Sequence, residues 1–367
     1  MATTEVLSGL ELTKWRRDFI REYVRDSGFS PYMGDSPMDI IHVINDLKTD
    51  GYTIRVPLVG RLQGSGVSGN TALSGAEEAL DQYYQDIAWE FYRNAVQATK
   101  KEKKKSATEF MAVARPLLRE WASELIKYQL IECLHKMSNG VAYSAADSTA
   151  KNDWTVNNVD RVLFGATQSN YSATHATALG NIDNTADKLT PAMGSLAKFM
   201  ARTANPHIRP FKTGTQGREF YVMFCHPLCF RDLKADTTMV AANRDARPLD
   251  VDANPLFQDG DLIYDGVIYR EIPEFYTARQ GTGVNTDTTI SSTIQVGANF
   301  LCGAQAIGYV NKQAAMPTSK KEDDYGFVDG VGIELAHGMD KLRWNNGNSG
   351  ALVKDVGIVT VYAAAVA

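Results

Sequence analysis

The chain has 367 residues, 44% apolar and 22% charged, enough for two or three cores at roughly 150 residues per domain. An aromatic content of 10% with 29 Gly and 12 Pro excludes a disordered or collagen-like chain; no apolar run reaches the roughly 18 residues of a membrane span, and the first ten residues lack a secretory leader's basic start and apolar core. A net charge of -5 excludes a domain whose main task is to clamp nucleic acid through its phosphates, and four cysteines (Cys133, Cys225, Cys229, Cys302) are too few for a disulfide framework and suit a reducing cytosol.

In chain order, the first fifty residues hold one amphipathic stretch in which Leu12, Trp15, Phe19, Tyr23 and Val24 recur at three-to-four spacing. A turn-rich break through Gly28, Pro31, Gly34 and Pro37 follows. One helix with a broken tail has little of its own to fold around, so the segment reads as an arm whose apolar stripe packs on its own domain, a neighbouring domain or another subunit. Residues 52–60 (YTIRVPLVG) alternate as a strand does, with Pro57 pushing it toward an edge. Gly60, Gly64, Gly66, Gly69 and Gly75 then punctuate small polar residues before Leu80, Tyr83, Tyr84, Ile87, Trp89 and Phe91 resume a strand pattern. Two strands joined by a long glycine-rich tip describe a hairpin projecting from a body, with nothing in the pattern to bury the tip within one chain.

Lys100, Lys101, Lys103, Lys104 and Lys105 precede the longest helical pattern, 106–137. Its expected apolar side is Phe110, Ala114, Leu117, Trp121, Leu125, Ile131 and Leu134, and Ser106 and Glu109 stand at capping-box spacing. An interior proline costs about 3 kcal/mol or kinks a helix, so Pro116 allows either one bent helix or two. Residues 139–190 turn to Ser, Thr, Ala and Asn and read as surface loops at a domain entrance, apart from 159–164. Beyond them the spacing predicts a helix over 191–203, a buried strand at 219–225, a strand at 266–272, a Gly/Thr-rich loop at 277–292, a helix at 299–310, and strands at 328–337 and 356–363.

Three motifs invite a chemical reading. Gly64, Gly66 and Gly69 match the dinucleotide fingerprint G-x-G-x-x-G, which works only where the third glycine opens a helix. Here the chain continues as loop, after a strand that carries Pro57 and Arg55. Cys225, His226 and Cys229 offer soft ligands without a second cluster to close a tetrahedral site, and read as buried thiols at a strand end. Glu322, Asp323, Asp324 and Asp329 make an acidic turn whose spacing fails the EF-hand template and reads as a solvated loop. The other histidines are scattered, so no catalytic residue, cofactor or metal site is expected. The lysine cluster reads either as a contact for phosphate or an acidic neighbour, or as a solvated helix entry.

The run from Arg55 to Gly75 (RVPLVGRLQGSGVSGNTALSG), followed by EEAL at 77–80, resembles the strand and loop signature of tailed-bacteriophage major capsid proteins, in the branch typified by the N-four coliphage. The similarity continues in order through RNAV at 93–96, the helix around Trp121, His226-Pro227, Asp232-Leu233, NPLF at 254–257 with Gly260, YDGV at 264–267 with Glu271, GAQA at 303–306, Lys341 and DVGI at 355–358.

The resemblance implies an α+β protein with the Hong Kong 97-type capsid fold. Its parts would be an N-terminal arm (1–50), an extended loop hairpin (51–85), a peripheral domain with a spine helix (86–138 and 321–345), and an axial domain with the C-terminal strand (139–320 and 346–367). The function implied is self-assembly of hexamers and pentamers into an icosahedral head shell around double-stranded DNA, without sequence-specific binding, in the host bacterial cytoplasm. Expected partners are further copies, a separate scaffolding protein, a portal and a decoration protein. Expected inter-subunit contacts are Arg61, Gly64, Gly66, Gly69, Leu73 and Gly75 of the loop, the lysine cluster, and Trp15, Phe19 and Tyr23 of the arm. A covalent weld of the kind one family member makes needs a lysine on this loop; residues 51–85 hold none, so a non-covalent shell is expected, stabilised by interlocked loops or by a separate decoration protein. A cellular nanocompartment shell and a nucleotide-dependent oxidoreductase resting on Gly64, Gly66 and Gly69 stay open as alternatives.

Overall fold

The computed structural model describes residues 28–45, 51–62, 64–70, 72–105, 110–213, 218–245, 261–275, 295–323, 327–345 and 352–365. In the first third lie β1 (Met33–Gly34), β2 (Ile41–Asn45), β3 (Thr53–Val59), β4 (Gln82–Ala88), β5 (Glu90–Thr99), α1 (Lys100–Lys105) and α2 (Phe110–Leu134). Then come α3 (Ser148–Asn157), β6 (Val162–Phe164), α4 (His175–Gly180), α5 (Pro191–Thr203), β7 (Phe211–Thr213), β8 (Arg218–Cys225), α6 (Pro227–Ala235) and α7 (Thr237–Asp245). The last are β9 (Leu262–Tyr264), β10 (Val267–Glu271), β11 (Val296–Cys302), β12 (Ile307–Asp323), β13 (Val328–Lys341), β14 (Arg343–Trp344), β15 (Lys354–Asp355) and β16 (Ile358–Ala364). Packing divides the chain into one unit of Phe91–Glu124 with Ala314–Leu335 and another of Ser27–Glu90, Leu125–Gln313 and Ala336–Ala367.

The larger unit is built on a mixed sheet in the order β6-β16-β11-β8-β10-β9, with β7 added on β8. Period-two alternation sends Val222, Phe224, Phe300, Ile358 and Tyr362 into one apolar cluster, with Leu130, Ile131 and Trp154. The intervening Tyr221, Met223, Cys225, Leu301, Val359 and Val361 enter another, under Met193, Ala197 and Met200 of α5 and Phe230 and Leu233 of α6. Both faces are covered, so β11 and β16 are buried at every position.

That double burial corrects the helix expected over 299–310, which is the end of β11 and the start of β12. A strand buried on both faces reads as a continuous apolar run, and periodicity alone does not separate it from a buried helix. Gly303 marks the break. A Cβ there would meet the Arg209 carbonyl oxygen at 2.3 Å, and Ala304 N–H donates to that same oxygen at 2.8 Å.

Residues 139–190 are not surface loops either. They supply α3, β6 and α4, and bury Trp154, Leu163, Phe164, Ala178 and Leu179. Their polar residues satisfy backbone groups instead of facing water: Asp147 caps α3 by accepting from Ala150 N–H, and buried Asp187 accepts from Ala166 N–H at 2.6 Å and Asp183 N–H at 2.7 Å.

The predicted helices and strands at 191–203, 219–225 and 266–272 are α5, β8 and β10. The long helix is one element of 25 residues, about 37 Å at 1.5 Å per residue, with Pro116 inside it. Its buried side in the first half is Ala114, Leu118 and Ala122; Leu117, expected to face in, is exposed. The capping box and the loop at 277–292 fall outside the described residues.

In the smaller unit β5 lies beside β13, and β13 beside β12; in the larger unit β1 lies beside β2, and β2 beside β12. A Cβ on Gly332 of β13 would stand 3.1 Å from the Asn94 carbonyl oxygen of β5, so a larger residue there presses the two strands apart.

Candidate assembly surface

The projecting hairpin is present. β3 and β4 pair antiparallel in the register Thr53 with Ala88 through Val59 with Gln82. The ladder continues one step further, Gly60 N–H donating to the Asp81 carbonyl oxygen at 2.8 Å. Alternation turns Leu58 and Ile87 inward, where they cluster with Val310, Leu342 and Val356. Burying two such side chains stabilises the root by roughly 1.5–3 kcal/mol each.

A polar hub fixes the root as well. Buried Gln85 donates to Asp340 at 2.7 Å, and the same carboxylate receives Lys136 at 3.2 Å and Arg343 at 2.6 Å. On the solvent side Arg55 grips Asp86 in two hydrogen bonds, of 2.7 and 2.9 Å, and lies over the Tyr84 ring. The pair raises the pKa of Arg55 and lowers that of Asp86.

Past Gly60 the chain changes character. The described residues 61–81 are all exposed, including Leu62 at 62%, Leu73 at 59% and Leu80 at 51%. Gly66 and Gly69 both have φ of +67°, the left-handed region, with nothing within 4 Å of where a Cβ would stand. Glu78 accepts from Gly64 N–H and Glu77 from Gly75 N–H, each at 2.7 Å. Arg61, Gly64, Gly66, Gly69, Leu73 and Gly75 therefore share one solvent-facing loop. No helix follows Gly69 among the described residues: the next element is β4, antiparallel to the strand before the loop, so the dinucleotide fingerprint lacks its helix.

Lys100, Lys101 and Lys104 of α1 are exposed, whereas half-buried Lys103 forms an ion pair with Asp329 of the acidic turn. That contact lowers the pKa of Asp329. The side chain of Lys105 and the arm residues Trp15, Phe19 and Tyr23 lie outside the described residues. The four cysteines are free and buried, and His226 caps α6 by accepting from Leu228 N–H through Nδ1.

Two constellations escaped the sequence reading. Lys341 Nζ and Asp355 Oδ2 form a fully buried ion pair at 2.8 Å, with the Trp154 indole donating to the same oxygen at 3.2 Å. Burial pulls the pKa of Lys341 down, with Asp355 opposing. His135 and His175, called scattered, sit in one buried aromatic cluster: His135 stacks on Tyr143 at 3.9 Å and pairs with Tyr362 at 2.7 Å, and His175 pairs with Tyr143 at 3.0 Å. Lys341 and Asp355 had appeared only as separate landmarks, and no periodicity joins residues so far apart in the chain.

The model of the phage capsid protein family matches residues 3–367. The chain belongs to that family. The capsid subunit of cyanophage Pam1 is 34% identical and covers 100% of this chain and 99% of its own, with a TM-score of 0.88. The major capsid protein of Pseudomonas phage KPP25 is 26% identical over 98% of this chain and 96% of its own. The capsid of Ralstonia phage GP4, at 19% identity and a TM-score of 0.71 over 99% and 98% of the two chains, shares the fold. The α+β architecture is thus that of phage capsid subunits, consistent with the Hong Kong 97-type fold, and the chain is a major capsid protein that builds the head shell of a virion by assembling with itself.

Proposed function

We propose that this capsid subunit forms hexamers and pentamers that close an icosahedral shell around double-stranded DNA, held by non-covalent contacts and without catalysis. In this reading the β3–β4 hairpin is the extended loop, α2 is the spine helix of a peripheral domain, the central mixed sheet belongs to the axial domain, and residues 1–50 are an arm that straps an adjacent capsomer. The carrying observation is the hairpin itself. Its root is held by an apolar cluster and a buried polar hub, while its tip holds Leu62, Leu73 and Leu80 in solvent. Three exposed leucines carried on one loop gain burial when a second copy packs on it. The net charge of -5 supports a shell within which packaged DNA slides. Scaffolding, portal and decoration proteins are its partners in the host cytoplasm.

Sedimentation and negative-stain microscopy of the purified chain, alone and with a scaffold, test this reading. It predicts closed angular shells, hexameric rings or large tubes that boil in reducing detergent to a single 367-residue band. A small oligomer that never grows refutes assembly, and a ladder of linked subunits refutes the non-covalent shell.

A further inference from the structure

A cleft of about 500 Å³ opens beside the hairpin root. Its floor is apolar, formed by Val56 and Leu58 of β3 with Leu342 and Val356. Its rim is basic: Arg209, His207 and His42 line it, with no Asp or Glu among the described lining residues. Arg55 also lines it, with Asp86 already neutralising its charge. Trp344 lines it as well. Apolar side chains beside an arginine and two histidines match a ligand that brings a carboxylate together with apolar side chains.

The tip of the hairpin has that chemistry. Residues 73–80 read LSGAEEAL, with exposed Leu73 and Leu80 flanking Glu77 and Glu78. Glu78 accepts from Gly64 N–H and Glu77 from Gly75 N–H, and a carboxylate oxygen accepts more than one donor. The tip of the same chain does not fill the cleft: the described residues of 61–81 are exposed, and none of them lines it.

We propose that this cleft receives the hairpin tip of a second copy of the chain, with Leu73 or Leu80 on the apolar floor and Glu77 and Glu78 against Arg209 and His207. The inference rests on the reading of the chain as a self-assembling shell subunit, and names the receiving surface on the neighbour. Opposite charges set the register of the two copies, and the apolar contact supplies most of the affinity.

The test is a disulfide trap in assembled particles carrying Leu73→Cys and His207→Cys. The native thiols stay silent, since all four are buried and burial pushes those of Cys133 and Cys229 up to about 12. Mild oxidation should yield linked subunits on a non-reducing gel from shells, and none from dilute unassembled subunits or from either single variant. A charge exchange is the second arm: Arg209→Glu and the pair Glu77→Arg with Glu78→Arg should each lower particle yield by about tenfold or more, and their combination should recover most of it. Shells that form normally but give no link, with yields indifferent to charge, overturn the tip-in-cleft docking and leave the shell reading standing. If the unsubstituted chain forms no shell under any condition, the shell reading fails instead.

Discussion

At the root of the β3–β4 hairpin, Leu58 and Ile87 are buried against Val310, Leu342 and Val356, while at its tip Leu62, Leu73 and Leu80 stand in solvent on a loop where Gly66, Gly69 and Gly75 have nothing near them. Both ends are rich in apolar and small residues. They differ in what surrounds them: the root completes a core within one chain, and the tip has its complement in another molecule. Substitutions at the root should therefore show in the stability of the subunit, and substitutions at the tip only in the yield of particles.

The largest loss is expected deep in the body. Lys341→Met leaves the Asp355 carboxylate buried without its cation, which destabilises by about 3–5 kcal/mol and should deliver largely insoluble subunits. Adding Asp355→Leu should return much of that loss in chemical denaturation, because the apolar pair has no desolvation to offset. Ile87→Ala comes next, at about 2–4 kcal/mol. It should raise proteolysis of the hairpin before the central sheet opens.

Acid gives an intermediate effect with a definite sign. Burial lowers the pKa of His226 and of His337 from 6.5 to about 4, and pushes His135 down too, with Lys341 and His175 adding to it. The unfolded chain then binds protons that the fold refuses, so stability is complete above pH 6.5 and falls as pH drops toward 4. Denaturation midpoints measured from pH 7.5 to 5 should decline by the equivalent of about 1–2 kcal/mol for each such histidine. His337→Gln should flatten its share, whereas a midpoint unchanged across that range contradicts the burial.

The smallest effect on the monomer belongs to the tip. Gly66→Asp puts a charge where no neighbour stands in the chain, and should cost the subunit no more than the roughly 1 kcal/mol of a non-glycine residue at φ +67°, while particle yield falls. Normal shells from that variant would remove the tip from the interface.

The hairpin was legible because its signals are local: alternation marks β3 and β4, and five glycines with no apolar partner mark the tip. α5 and β8 were legible for the same reason, one through Pro191 at its first turn, the other through a dense β-branched and aromatic run. What stayed hidden is what long-range packing decides. β11 looked helical because both its faces are covered, and α3 looked like loop because Asp147 and Asp187 spend their polarity on backbone N–H groups. The residues that line the cleft come from six separate stretches of chain, among them His42, Arg209 and Trp344, that no spacing connects.

Hydrogen exchange measured by mass spectrometry on free subunits and on assembled shells tests the contrast between root and tip most directly. The account predicts that amides in 61–81 exchange rapidly in free subunits and become protected in shells, while those of β8, β11 and β16 are equally protected in both. Rapid exchange of the tip in shells, as fast as in free subunits, would contradict it.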